Sequence, residues 1–392
     1  MNKKYNDFYL FVIKNRFTIY IIILILLFII LINNLYKQYS HYESFFIPKK
    51  YFRCDTRKLG TINNEIFEEH QIKKDNINWD IYVPCGYNHV EKELLNIQLP
   101  KHETHKYIYG INGCDNIVSK NKIWESLVSC YGRLEASKYM PESYVLHNSN
   151  DMNNFKLRFN KKKIYILKKN VQRKEGLKLT SNLKIIMDSV LDNYKVVQIY
   201  LTDLFLINQY KVNLRIYLFI QIKNNIKTFY VSHLGKCIYT NKKYNHNNYD
   251  FSSNITSYNL DMNIYKKNPR NLVELYDYVN KHSNYNNASQ ILSNNIHKLM
   301  EKVSRCISNT VYQSKNLHNT TCFQLFGADV IFDNQLHPYL LEFNKGPDMI
   351  PRDDIDKSMK KKVQEDMFKI VGLIPNTYKE NNSFFEVYRS TL

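Results

Sequence analysis

The stretch FGADVIFDNQLHPYLLEFNKGPDM, residues 326–349, decides the fold. It holds two apolar runs joined by a turn around Asn334 to His337, the pattern of a β-hairpin. Yet Asp329, Glu342 and Asn344 lie inside those runs. Successive strand residues point to opposite faces, so Glu342 and Asn344, two apart, share one. A tight turn brings Asp329 opposite Glu342 on that same face. Burying carboxylates is costly unless something compensates. Two compensations are open: loop amides or a lysine, and a hard cation. Three converging oxygen donors favour the cation, and Mg²⁺ characteristically takes one or two carboxylates beside the phosphates of a substrate.

Cations sit in matching surroundings. Lys168 ends the apolar run YIL just before a polar loop containing Gly176. Lys211, Asn213 and Arg215 alternate in KVNLR and so share one face of an apolar strand. A lysine or arginine in a buried strand calls for a partner, either an acidic side chain or a phosphate. With the hairpin, these residues describe a site for phosphate and Mg²⁺.

The surrounding chain alternates strand-rich and helix-rich segments, which places it among α+β or α/β proteins. Its 392 residues suffice for two or three packed subdomains. WESLVSCYGRLEASKYM (124–140), NLKIIMDSVLDNY (182–194), LVELYDYVN (272–280), ILSNNIHKLMEKVSRCI (291–307) and MKKKVQEDMFKIVGL (359–373) have helical spacing. The polar run from Asn241 is expected to be a long loop, partly disordered. The expected division is a basic tail (1–16), a membrane anchor (17–35), a linker (36–75), an N-terminal domain (76–155), central (156–225) and C-terminal (226–378) subdomains, and a tail (379–392).

FTIYIIILILLFIILI, Phe17 to Ile32, carries no charge and, extended to Leu35, approaches the length that spans a hydrocarbon core. The expectation is a single-pass anchor with the catalytic domain in the cytosol. Lysines and arginines flank it on both sides, so orientation stays open. Seven cysteines without a CxxC indicate neither a zinc site nor a full disulfide framework, and suit a reducing compartment. The sequons at Asn254, Asn287, Asn319 and Asn381 are expected by chance in so asparagine-rich a chain. The net charge of +19 has two readings, an acidic partner or compositional drift. Nucleic acid is not expected, because no RNA- or DNA-binding spacing is present.

The same residues resemble the tubulin–tyrosine ligase family, with its polyglutamylase and polyglycylase members. CFQLFGADVIFDNQLHPYLLEFNKGPDM is similar to the family's signature of a Cys-Phe-Glu-Leu-x-Gly-x-Asp strand followed by Leu-Leu-Glu-x-Asn. The resemblance spans roughly residues 105–375. It implies an ATP-grasp fold with a small N-terminal domain. It also implies a ligase that uses ATP and Mg²⁺ to join a free amino acid (Glu, Gly or Tyr) to a protein carboxylate through an acyl phosphate. Acidic tubulin tails are the acceptor it suggests. By resemblance, Asp329, Glu342 and Asn344 are the metal ligands, and Lys168 the lysine on the ATP phosphates. Gly176 belongs to the loop covering those phosphates. Gln198, Tyr200 and Leu201 form the adenine hinge. Lys211, Asn213 and Arg215 stand in the Lys-x-Asp-x-Arg strand, which serves the γ-phosphate and the amino acid, and Thr256 lies near the substrate. The chain departs from the pattern at Lys169 (usually Pro), Gln324 (Glu) and Asn213 (Asp). It also lacks the Arg that often follows Gly235, where Lys236, Cys237 and Ile238 stand. Two further readings are an inactive ATP-grasp module that binds acidic proteins, and a ligase acting on a small molecule.

Overall fold

β-Branched and aromatic residues dominate two long runs that pair as a hairpin, β9 (Val212–Lys223) and β10 (Ile226–Tyr239). The turn is Asn224-Asn225, both at positive φ, as a two-residue hairpin prefers. The structure is a computed structural model. It describes residues 20–21, 23–35, 49–54, 59–84, 89–100, 104–171, 176–256, 260–376 and 381–392. The chain divides into two units, Met1–Lys49 and Lys50–Leu392.

In the second unit the β9–β10 hairpin lies one strand in from the edge of a nine-stranded sheet. β11 (Thr321–Phe332) adds antiparallel to β9. The first residues of β11 pair with β4 (Tyr107–Tyr109), its last with β12 (Pro338–Asn344). Beyond β4 come β3 (Ile81–Tyr82), β1 (Tyr51–Arg53) and β2 (Lys73–Lys74); on the far side β13 (Phe384–Thr391) pairs with β10. Both faces are covered. Leu214, Ile216, Leu218, Phe326 and Ala328 bury one face against Leu275 and Val279 of a helix at Leu272–His282 and Leu292, Leu299 and Met300 of one at Ala288–Ile307. Tyr217, Phe219, Phe323 and Leu325 bury the other against Ile62, Ile66 and Phe67 of Thr61–Glu69 and Val363, Met367 and Phe368 of Asp354–Val371. A second, four-stranded sheet runs β5 (Ser143–Val145), β8 (Val196–Ile199), β6 (Tyr165–Lys168), β7 (Leu177–Thr180). This mixed α/β architecture is consistent with the expected ATP-grasp fold.

Several expectations need revision. The helix read over 124–140 is two, Lys120–Tyr131 and Arg133–Ala136, because Gly132 at φ 75° breaks it. Residues 51–75, read as linker, supply β1, the edge strand β2 and a helix, with Phe52, Ile62, Ile66 and Phe67 in the core. The tail at 379–392 contains β13. The polar run from Asn241 is ordered through Thr256, with Tyr244, Phe251 and Ile255 packed on Ile166, Leu179 and Tyr200. Cys130 and Cys306 form a disulfide, while Cys54, Cys114, Cys237 and Cys322 are buried thiols. Residues 20–35, 22 apart, are helical. Among the described residues no helix is long and apolar enough to cross a membrane. The expected anchor is therefore unsupported, and residues 17–19 and 22 of it lie outside the described residues.

Candidate active site

The polar residues of the hairpin form one row across four strands. Glu342 of β12 stands opposite Asp329 of β11, Asp329 opposite Arg215 of β9, and Arg215 opposite Lys236 of β10. Asn344 pairs with Gly327 and directs its amide to Asp329 Oδ2 at 3.3 Å. The carboxylates meet as the sequence predicts, with one addition. The register shifts after Val330↔Leu340, so Leu341 is an extra, bulged residue that carries Glu342 opposite Asp329. Gly327 is required by its neighbour: a Cβ there would lie 2.7 Å from Arg215 Cδ.

Each carboxylate has a cation beside it. Arg215 Nε donates to Asp329 Oδ1 at 2.6 Å and Nη2 to Oδ2 at 3.3 Å. Burial pushes the Asp329 carboxyl up, against the pull of Arg215, and the acid keeps the guanidinium charged. Lys120 Nζ lies 3.2 Å from Glu342 Oε2. Against its burial, Glu342 is held below the usual carboxylate range by Lys120 and Lys168. Sequence reading missed Lys120. It opens the helix after GINGCDNIVS, and its one local signal is a lysine where an acid is favoured.

Lys168 and Lys211 differ from these. Both are nearly fully buried, and among the described residues neither has a carboxylate partner within ion-pair distance. Lys168 Nζ donates to the carbonyl of bulged Leu341 at 3.3 Å. Lys211 Nζ donates to Tyr200 Oη at 3.0 Å and Asn254 O at 2.9 Å. Burial lowers Lys168 to about 8 and, with Lys168 as a second cause, Lys211 to about 7. Two buried lysines without a paired carboxylate at ion-pair distance among the described residues fit the phosphates of a nucleotide. Asp329 and Glu342 with Asn344 fit a divalent cation bridging to them.

The remaining expected residues fall as follows. On the four-stranded sheet, register pairing puts Lys168, Ile166 and Gln198 on one face. Gln198 Nε2 donates to Pro141 O at 3.2 Å and Ser143 Oγ at 2.8 Å, which anchors the hinge strand to β5. Tyr200 donates its hydroxyl to Asn254 O and its amide to Ile164 O, and Leu201 O accepts from Tyr244 Oη. Gly176 O accepts from the Lys169 amide at 2.8 Å, and residues 172–175 of its loop lie outside the described residues. Asn213 Nδ2 donates to Thr256 Oγ1 at 3.1 Å, which brings these two expected residues together, while Asn213 Oδ1 is buried without a partner among the described residues.

Two departures from the resemblance acquire meaning. Gln324 accepts from the Ile111 amide and donates to Lys345 O, at 3.1 Å each, a donor that glutamate lacks. The cation missing after Gly235 is present as Lys236, whose ammonium lies 3.0 Å from Asp356 Oδ1. Lys236, Arg270, Asp353 and Asp356 line a small open depression with Met262, Tyr265 and Met359. One other acidic cluster, Glu91, Cys114 and Asp115, is already committed: Glu91 accepts the Asp115 amide and Asp115 pairs with Lys345.

A sequence model of the Tubulin-tyrosine ligase family matches residues 98–381. The chain is 25% identical over 301 residues to a probable beta-tubulin polyglutamylase of Tetrahymena thermophila, which covers 70% of this chain and 25% of that protein. It is 26% identical over 215 residues to the probable human tubulin polyglutamylase TTLL2, covering 52% of this chain and 34% of that protein. A shorter match, 41% over 56 residues, is to tubulin glycylase 3F of Tetrahymena thermophila, covering 14% of this chain and 6% of that protein. The chain thus spans about a third or less of the length of these relatives.

Proposed function

The chain belongs to the tubulin–tyrosine ligase family, and from that premise we propose that it is an ATP- and Mg²⁺-dependent ligase that adds an amino acid to a carboxylate of tubulin. The observation that carries the reading is the pair of buried lysines, Lys168 and Lys211, which among the described residues have no carboxylate within ion-pair distance, with the Asp329–Glu342 pair on the neighbouring hairpin. Polyglutamylase relatives make glutamate the first amino acid to test.

The chain's own residues divide the work. Asp329, Glu342 and Asn344 would hold Mg²⁺, which when bound offsets phosphate charge and orients the transferring group. Lys168 and Lys211 stabilise the charge that spreads over the phosphates. A carboxylate is a poor electrophile, and conversion to an acyl phosphate gives it a leaving group. The amine of the free amino acid then displaces phosphate near Arg215 and Thr256. A basic surface favours acidic tubulin tails as the acceptor. The reading puts the catalytic unit in the cytosol with its nucleotide and acceptor, a compartment in which the Cys130–Cys306 disulfide would be open to reduction.

Two observations favour a second reading, an inactive module that binds acidic proteins. Asn213 stands where an acid is expected, and both Asp329 oxygens are engaged by Arg215. Calorimetry with a non-hydrolysable ATP analogue and Mg²⁺, on the full chain and on Glu342→Gln, separates the readings. The ligase reading expects Mg²⁺-dependent binding that the variant loses, followed by incorporation of radiolabelled glutamate into tubulin. Binding without incorporation of any amino acid would leave the module; no binding by a folded chain would remove the nucleotide site.

A further inference from the structure

The helix Lys120–Tyr131 ties the two sheets together. At its start, Asn170 Nδ2 donates to Ser119 Oγ at 3.0 Å and Asn121 Oδ1 at 2.8 Å, and the first amide of the helix donates to Asn170 Oδ1 at 3.0 Å. Asn170 lies just past the end of β6, the strand of the four-stranded sheet that carries Lys168. At the other end of the helix, about 15 Å along its axis, Cys130 is bonded to Cys306. Cys306 belongs to the helix Ala288–Ile307, which is seated on the nine-stranded sheet through Leu292, Leu299 and Met300. Beside the link, Tyr131 Oη donates to Lys302 O at 3.0 Å. Each helix also carries a buried polar atom without a partner among the described residues, Trp124 Nε1 and Ser304 Oγ, which weakens its packing and leaves more of the holding to the covalent bond.

The link is also open to chemistry. Cys130 is the one exposed cysteine among the described residues, and Cys306 is 2% exposed. Cys54, Cys114, Cys237 and Cys322 are buried, and burial pushes the thiols of the last three up, away from the reactive thiolate. We propose that Cys130–Cys306 is a redox latch worked by thiol reductants such as glutathione. Closed, it pins the helix Lys120–Tyr131 to the nine-stranded sheet and holds the end of β6 in place. Opened, it frees that helix end, and the strand carrying Lys168 loses a support. Opening begins when a thiolate attacks the Cys130 sulfur and Cys306 leaves as a thiolate that takes up a proton. A second thiol then attacks the mixed disulfide, frees the Cys130 thiol and leaves the reductant as its own disulfide, so two electrons and two protons pass to the protein. The effect on nucleotide binding rests on the ligase reading above; the latch itself does not.

The test is amide hydrogen exchange on the full chain, oxidised, reduced by glutathione, and as Cys130→Ser. Reduction and the variant are expected to speed exchange over Lys120–Tyr131 and residues 165–169 by about 10-fold more than over Asp354–Val371, which packs on the opposite face of the nine-stranded sheet. Equal acceleration everywhere would overturn the proposal, since the link would then be a general staple. So would a folded chain that glutathione leaves oxidised. Calorimetry with Mg²⁺ and a non-hydrolysable ATP analogue reads the consequence at the site. The reduced wild type should bind about 3- to 10-fold more weakly than the oxidised, with Cys130→Ser matching the reduced form in either buffer. Equal affinity of the two redox forms would overturn the coupling to Lys168. Absence of binding in both would remove the ligase reading, and hydrogen exchange would still decide the latch.

Discussion

Lys211 makes the apo protein less stable than its packing allows, and pH should expose the cost. Burial, and secondarily Lys168, lowers its pKa from 10.5 to about 7. One unit corresponds to 1.36 kcal/mol, so keeping this amine charged in the folded state costs roughly 5 kcal/mol at pH 6. Between the folded and unfolded values the unfolded chain binds more protons, so stability rises with pH. By pH 9 about 2 kcal/mol of the cost remains, a recovery of roughly 3 kcal/mol. Lys211→Met has no such group in either state. The variant also strips donors from Tyr200 Oη and Asn254 O, but that offset does not change with pH. Urea unfolding of the nucleotide-free wild type and variant at pH 6, 7, 8 and 9 isolates the effect as a difference of differences. The expected result is a stability gap that moves by roughly 3 kcal/mol in favour of the wild type between pH 6 and pH 9. Parallel curves would refute the reasoning, because they would mean the amine is not held against its charge. The variant should also lose nucleotide affinity at every pH.

Asn213→Asp places a carboxylate on the face of Lys211 and Arg215, so the lysine should regain part of its ordinary pKa and the wild-type pH slope should flatten, again by urea unfolding. Gly327→Ala forces Arg215 off Asp329, since the new Cβ would meet Arg215 Cδ at 2.7 Å; an expected loss of about 1–3 kcal/mol is read from the unfolding midpoint, with weaker Mg²⁺–analogue binding. The Cys130–Cys306 link spans 176 residues, for which the chain-entropy estimate approaches about 5 kcal/mol. Cys130→Ser should lower the unfolding midpoint, and reductant should bring the wild type down to the variant. Asn254 is 1% exposed with its amide nitrogen bonded inside its own loop. A folded chain should therefore carry no glycan there, which peptide mass spectrometry after expression in eukaryotic cells would check.

The parts of the site that were legible in the sequence are those set by local parity. Glu342 and Asn344 share a face because strands alternate, and the structure keeps both beside Asp329; Asn213 and Arg215 alternate on β9 in the same way, while Lys211 lies just before that strand. What was hidden depends on contacts far apart in the chain. Lys120 is 222 positions from Glu342, and Lys236 shows its role through register with Arg215 and contact with Asp356. The same limit applies to the fold. The segment near Tyr51 looked like linker because three residues of strand carry no periodicity, yet Phe52 enters a core built by Phe67 and Phe368. The interiors of the long helices Ala288–Ile307 and Asp354–Val371 are legible, since several turns of apolar spacing outvote any one residue, but their starts lie three and five residues before the expected 291 and 359.

The extra residue in β12 separates two jobs that the hairpin otherwise performs at once. Unbulged pairing from Val330↔Leu340 would set position 341 opposite Asp329. A chain shortened by Leu341 would still bring the glutamate there, now on an unbroken ladder. It would lose the carbonyl that turns toward Lys168. The insertion is thus dispensable for gathering the carboxylates and needed for seating the lysine. A one-residue deletion would divide metal affinity from phosphate affinity, which no side-chain substitution in this hairpin does alone.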